Sequence, residues 1–187
     1  EPWTLEIVRD CTGHYVDIGA WIGPTVIASV NAHTRLAVEP DLVAHAILIE
    51  NLAEADIECT ITSQALADVT GVREMRPAHG QFGNSETTML RHGDGEPITV
   101  PTQPLEWFAK GADLVKIDVE GAESFALPAA REWLNGTVPL LVSLHPRWFD
   151  PEAFAAVVDV LHDYPDLHVD DVPTRRIPRR ACVVLAR

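Results

Sequence analysis

Three side chains with complementary chemistry stand at two strand ends of this sequence. Leu114-Val115-Lys116-Ile117-Asp118-Val119-Glu120-Gly121-Ala122-Glu123 reads as a buried strand that ends in two carboxylates and turns on a glycine into a helix. Asp118 and Glu120 are two apart, so on a strand both project to one face. Ser143-Leu144-His145-Pro146 closes the next strand with an imidazole. Neighbouring parallel strands set their carboxyl ends side by side, so Asp118, Glu120 and His145 are expected to converge. His145 has the pKa range of a general base, and Asp118 or Glu120 would orient it. Such a group suits removal of a proton from a hydroxyl as that oxygen is alkylated. A base of this kind adds ~10²–10⁴ in rate, and positioning supplies on the order of 7–11 kcal/mol at best. The competing reading is a hydrogen-bonded network that holds the strand ends. No metal is assigned here; an ion would meet an oxygen-rich set, suited to magnesium or calcium more than zinc.

Upstream, Tyr15-Val16-Asp17-Ile18-Gly19-Ala20-Trp21-Ile22-Gly23 makes a similar strand exit. Two strand ends carrying acid and glycine are what an open α/β sheet needs to hold a nucleoside-like cofactor at its carboxyl edge. A dinucleotide site wants Gly-x-Gly-x-x-Gly, whose second glycine lets the backbone approach a pyrophosphate. Trp21 stands at that position, and an indole there blocks a pyrophosphate. S-adenosylmethionine has no phosphate and does not need that glycine. Gly19 still permits a tight turn under a cofactor. Asp17 can accept a hydrogen bond from the loop or from the cofactor's ammonium. Glu39 lies twenty residues after Gly19, at the end of the second strand. An acidic side chain there takes both ribose hydroxyls. Glu39 fits NAD as well as an adenosyl sulfur compound; Trp21 separates them. Ser63 follows the third strand, where a polar side chain either meets the adenine edge or makes a turn.

The elements that must position these groups alternate. Strands are predicted over 6–8, 15–18, 35–38, 57–62, 98–100, 114–119, 140–144, 167–172 and 181–185. Helices are predicted over 25–32, 41–55, 104–109, 122–134 and 151–162. Gly23-Pro24 starts the first helix, with proline suited to its first turn. Alternation of strand and helix predicts a parallel sheet with helices on both faces. The final strand follows its neighbour through a short turn, so it should be antiparallel. Residues 71–97, rich in Gly, Pro, His, Asn and charge, read as a long functional loop with short strands at 81–82 and 87–90. His79, His92 and Gly83-Asn84-Ser85 are its candidates for a lid or substrate pocket. Arg175, Arg176, Arg179 and Arg180 make a basic turn, either solvated or facing a carboxylate or phosphate.

The 187 residues suit one domain, residues 1–187. The net charge of −14 argues against nucleic acid or an anionic membrane as partner. No apolar run approaches the ~20 residues of a membrane span. Cys11, Cys59 and Cys182 are odd in number and far apart, with no Cys-x-x-Cys. Neither zinc nor a disulfide framework is expected, and a reducing, cytoplasmic location is. The oligomeric state is not legible.

The sequence resembles the FkbM-type methyltransferases. The likeness is carried by Val16-Asp17-Ile18-Gly19-Ala20 with Gly23, by Val38-Glu39-Pro40, by Asn51-Leu52, by residues 139–146, and above all by residues 114–123. It implies the three-layer, Rossmann-like class I methyltransferase fold, with a seven-stranded, mostly parallel sheet whose last strand is antiparallel. It implies S-adenosyl-L-methionine as cofactor. The cofactor contacts expected from the matching segments and the strand ends are Asp17, Gly19, Ala20, Gly23, Glu39, Pro40, Ser63 and Asp118, with His145, Asp118 and Glu120 catalytic. It implies O-methylation of a small-molecule hydroxyl, as on a sugar or polyketide-like product. Two other functions remain open: a domain that binds cofactor or partner without turnover, and an NAD-dependent oxidoreductase. Only fourteen residues precede Tyr15. Family members often carry a longer N-terminal segment, so a trimmed, more open pocket or a piece of a larger protein is expected. Ser143-Leu144-His145-Pro146 also replaces the acidic strand end of many members.

Overall fold

The structure, a computed structural model, describes residues 2–77, 80–90 and 95–187. In chain order its elements are α1 (Pro2–Asp10), β1 (His14–Ile18), α2 (Pro24–Ala28), β2 (Thr34–Val38), α3 (Leu42–Glu54), β3 (Thr60–Thr62), β4 (Ala65–Leu66), β5 (Gly71–Pro77), β6 (Thr87–Thr88) and β7 (Ile98–Gln103). There follow α4 (Leu105–Ala109), β8 (Leu114–Ile117), α5 (Glu123–Ala129), α6 (Arg131–Leu134), β9 (Leu140–Leu144), α7 (Pro151–Leu161), β10 (Leu167–Val169), β11 (Val172–Pro173) and β12 (Cys182–Ala186). A 3₁₀ turn, Pro146–Trp148, follows β9.

β1 pairs in parallel with β2 and β8, β2 with β3, and β8 with β9. β12 lies antiparallel between β9 and β10. The strand order is β11-β10-β12-β9-β8-β1-β2-β3. This is the expected mostly parallel sheet with its antiparallel last strand, lengthened at one edge by the two-residue β11.

Alternating side chains divide the core between the two faces, as the pleat requires. Val16, Ile18, Val115, Ile117 and Val142 pack with Leu127 of α5 and with Val157 and Leu161 of α7. Tyr15, Leu114, Leu141, Val183 and Leu185 face the other way, against Val8 of α1. Each such side chain contributes roughly 1.5–3 kcal/mol on burial. The central strands are therefore held from both sides, and their carboxyl ends are held with them.

Four local expectations are corrected. Residues 6–8 are helical, not a strand. Thr4 and Val8 are the buried residues of α1, four apart, which is helical spacing that the short run 6–8 did not reveal. Residues 71–97 are not one irregular loop. β5 pairs antiparallel with β7 from Gly71↔Thr102 to Met75↔Ile98, within a second sheet ordered β4-β7-β5-β6. Residues 81–82 are not a strand; only Thr87–Thr88 of that region pairs. The helix expected over 122–134 is two helices, α5 and α6, meeting at Ala130 just after Pro128. Proline has no N–H for the helix ladder. His79 and His92 lie outside the described residues.

Candidate active site at the carboxyl edge of the sheet

The end of β1 is locked to β2 by its own backbone. Gly19 and Ala20 both donate their N–H to Val38 O, at 2.9 and 3.1 Å. Gly19 has φ +82, and a Cβ there would collide with the Asp118 carbonyl. Only glycine allows β1 and β8 to exit this close together. Trp21 next adopts φ +48, a conformation unusual for a bulky side chain. It is held there by its N–H on Glu39 Oε2 (2.8 Å) and its indole N–H on Gly83 O (3.1 Å).

Glu39 is 7% exposed. Its second oxygen accepts from Asp41 N at 2.8 Å. Burial pushes its pKa up to about 7, against the pull of the Asp41 and Trp21 backbone donors. Asp41 caps α3 through Val43 N and Ala44 N. Its other oxygen takes Gly83 N (2.6 Å) and Thr87 Oγ1 (3.0 Å), which docks the 83–87 segment over the sheet edge. The resulting cleft, about 550 Å³, has Gly19, Trp21, Glu39, Pro40 and Asp118 on one side. Leu66, Met75, Asn84, Ser85, Thr87 and Met89 complete it. Its lining, mostly apolar with a few polar groups, is that of a small-molecule site.

Beside it opens a wider cavity of about 1190 Å³, lined by Ala20, Lys116, Ser143, His145 and, from α1, Thr4 and Leu5. Gly19, Trp21, Ser85, Asp118 and Glu120 line both. Asp118 and Glu120 lie beyond the end of β8, not on it, and Glu120 takes φ +49. They nevertheless meet His145: its Nε2 is 3.7 Å from Asp118 Oδ1 and 3.4 Å from Glu120 Oε1. Burial alone would lower the His145 pKa, but Glu123, Glu120 and Asp118 outweigh it and raise it. Burial likewise raises Glu120, against His145 and the Trp148 indole.

The supporting groups were harder to foresee. Trp148 Nε1 donates to Glu120 Oε2 at 2.9 Å, and Thr88 Oγ1 donates to the Glu120 carbonyl at 2.8 Å. Glu123, in the first turn of α5, is fully buried and accepts from Val119 N and Gly121 N at 3.0 and 2.8 Å. It clamps the turn that carries Glu120. Lys116 bridges Asp17 Oδ1 (3.2 Å) and Asp118 Oδ2 (3.5 Å). A lysine two residues before an aspartate on one strand was a readable signal for the second contact.

Asp17 is fully buried, and its carboxylate accepts from Tyr15, Thr25 and Lys116. The loop or the cofactor's ammonium was the expected partner; the donors found are on β1, α2 and β8, and Asp17 lines neither cavity. Gly23 (φ +96) starts α2 and faces Leu48 rather than the cleft. Ser63 is not among the lining residues; Ala65 and Leu66 are. In the basic turn, Arg175 donates to Tyr164 O and His162 O, Arg179 to Phe149 O, and Arg180 pairs with Asp170.

Residues 17–166 match the model of the methyltransferase FkbM domain. The chain belongs to that family. An FkbM domain is an S-adenosylmethionine-dependent methyltransferase. The cleft fits such a cofactor: the buried carboxylate of Glu39 lines it beside Gly19, which no side chain could replace. Solved structures agree on the fold. The FkbM chain is similar to a precorrin-6y C5,15-methyltransferase from Geobacter metallireducens (TM-score 0.55, 12% identity, covering 100% of this chain and 86% of that one). It is similar to a ribosomal protein L11 methylase from Lactobacillus delbrueckii subsp. bulgaricus (0.53, 15%, covering 99% and 74%). It is also similar to a Pyrococcus abyssi tRNA (uracil-54, C5)-methyltransferase in complex with S-adenosyl-L-homocysteine (0.51, 13%, covering 99% and 36%). A search of curated protein sequences finds no match. Among the described residues no helix is long and apolar enough to cross a membrane.

Proposed function

We propose that this FkbM methyltransferase methylates a hydroxyl oxygen of a small molecule such as a sugar or polyketide-like product. The observation that carries the reading is the junction of the two cavities at Asp118 and Glu120, with His145 on the wider side. When bound, S-adenosylmethionine supplies a methyl group on a positively charged sulfur. Glu39 takes the ribose hydroxyls, as its buried position at the end of β2 suits. Leu66, Met75 and Met89 give apolar walls to the purine. Gly19, Ala20, Pro40 and Asp118 shape the floor between the cavities. Asp118, Glu120 and His145 orient the acceptor hydroxyl and draw off its proton. Trp148, Thr88 and Glu123 hold Glu120 in place.

Two experiments test this. The first is thermal unfolding with S-adenosylmethionine, S-adenosylhomocysteine and NAD added separately. A ligand at 100 times its Kd stabilises a fold by ~2.7 kcal/mol. Both adenosyl sulfur compounds should raise the melting temperature and NAD should not; no shift with any of them favours a domain without turnover. The second is an acceptor screen with ¹³C-methyl cofactor, read by NMR. Label on oxygen is expected; label on nitrogen or carbon overturns the hydroxyl assignment.

A further inference from the structure

His145 is oriented by more than hydrogen bonding explains. Its Nε2 faces two carboxylate oxygens at 3.4 and 3.7 Å. Both separations exceed the roughly 2.7–3.2 Å of a protein hydrogen bond, and one ring N–H can point at only one oxygen. Among the described residues its buried Nδ1 has no hydrogen-bond partner, and Glu123 Oε1 stands 3.9 Å from it, so Nε2 is the nitrogen turned toward the two carboxylates.

The spacing suits a metal ion. Ligands held ~2.0–2.2 Å from a tetrahedral ion stand roughly 3.3–3.6 Å from one another. The two Nε2–oxygen separations, 3.4 and 3.7 Å, fall close to that spacing, and with one atom from each group within 4.8 Å of the others a modest side-chain adjustment would close the set on an ion. The far side of each group also faces a partner, as metal ligands usually do. Asp118 Oδ2 faces Lys116 at 3.5 Å, Glu120 Oε2 accepts from Trp148, and His145 Nδ1 looks toward Glu123 Oε1 at 3.9 Å.

We propose that Asp118 Oδ1, Glu120 Oε1 and His145 Nε2 hold a divalent metal ion whose remaining positions open into the wider cavity. The ion gives the acceptor oxygen its place, so the inference rests on the methyl-transfer reading of that cavity. The two carboxylates suit a hard ion, as the oxygen-rich sequence pattern implies, and the one imidazole favours manganese among such ions over magnesium and calcium, which prefer oxygen throughout; zinc is the comparison ion. With the ion in place the three side chains act through it and not as a base: a coordinated hydroxyl loses its proton to water more readily than a free one. The oxygen then bonds to the methyl carbon as the carbon–sulfur bond breaks, and the sulfonium leaves as a neutral thioether.

The test is Mn²⁺ and Zn²⁺ binding to the chelator-treated full chain, by calorimetry and, for Mn²⁺, by EPR. One ion per chain is expected. His145→Ala and Asp118→Asn should weaken it tenfold or more, and Trp148→Phe roughly 10- to 100-fold through the orientation of Glu120. The surface variant Asp163→Asn should bind as the parent does. Calorimetric melting of the same samples checks that each variant is folded, and binding of S-adenosylhomocysteine to the parent checks the cofactor cleft. A chain that takes S-adenosylhomocysteine but neither ion overturns the metal site and leaves the methyltransferase reading standing. Ion binding that is equal in His145→Ala, Asp118→Asn and parent overturns the assignment of ligands.

Discussion

Replacing Lys116 with methionine should destabilise this protein more than any surface change. The ammonium lies 3.2 Å from Asp17 Oδ1, and Asp17 is fully buried. Burial works against the charge on Lys116, but Asp17 and Asp118 outweigh it and raise its pKa, so it keeps its proton. Lys116→Met leaves the Asp17 carboxylate with the Tyr15 and Thr25 hydroxyls and no opposite charge. Breaking a buried pair from one side costs about 3–5 kcal/mol. For 187 residues the unfolding entropy is roughly 0.4 kcal/mol/K, so the midpoint should fall by roughly 8–13 °C. The assay is a double-mutant cycle by calorimetric melting, with Asp17→Asn and the double variant. Removing the stranded charge should let the double variant melt above Lys116→Met alone. If Lys116→Met melts with the parent, or Asp17→Asn adds its own full loss to it, the pair is not the strut described here.

Glu39→Gln should weaken S-adenosylhomocysteine binding by roughly ten- to a hundredfold, the value of one charged hydrogen bond; calorimetry reads it directly. Glu39 also predicts a pH dependence. Its folded pKa, about 7, stands above its ordinary 4.5, so its contribution to ligand-free stability is fully present below 4.5 and is lost as pH rises to 7. The loss is roughly 3 kcal/mol, and denaturant titrations of the parent should diverge from those of Glu39→Gln across that window. Cofactor affinity should run the other way, rising through pH 7 as the carboxylate ionises to accept the ribose hydroxyls. Gly19→Ala should both lower the melting temperature and abolish cofactor binding, because the methyl meets the Asp118 carbonyl in a left-handed conformation; normal binding by that variant would show that the two strand exits are free to part.

The three groups that meet at the cavity junction were legible because strand adjacency in an alternating chain is nearly forced. Once 114–117 and 140–144 are parallel neighbours, residues just past their ends must be close. Glu39 was legible by its spacing from Gly19. What stayed hidden depends on register and on long-range contact. Asp17 and Lys116 are ninety-nine residues apart, and only the β1–β8 register sets them side by side. β5 was hidden because Arg73, Glu74 and Arg76 interrupt it, with Met75 and Pro77 its buried residues. Met75 and Met89, which join the expected Asn84 and Ser85 in the cleft wall, were hidden with it. Glu123 reads as an ordinary first-turn acid until the backbone folds onto it.

β12 follows every other described strand along the chain and is sixth in the sheet counted from β3, seated between β9 and β10. Five of its residues pair with Leu140–Leu144, the strand that delivers His145. During synthesis β9 therefore waits with one edge open, while everything N-terminal to it can already have collapsed. An open edge of Leu140, Leu141 and Val142 invites pairing with another chain. His145 is thus braced only once β12 has been made. A nascent chain stopped short of Cys182 would already carry Glu39 and its cleft, yet would leave His145 on an unsupported strand. On the function proposed above, cofactor recognition and catalytic competence arise at different moments in the life of the same polypeptide.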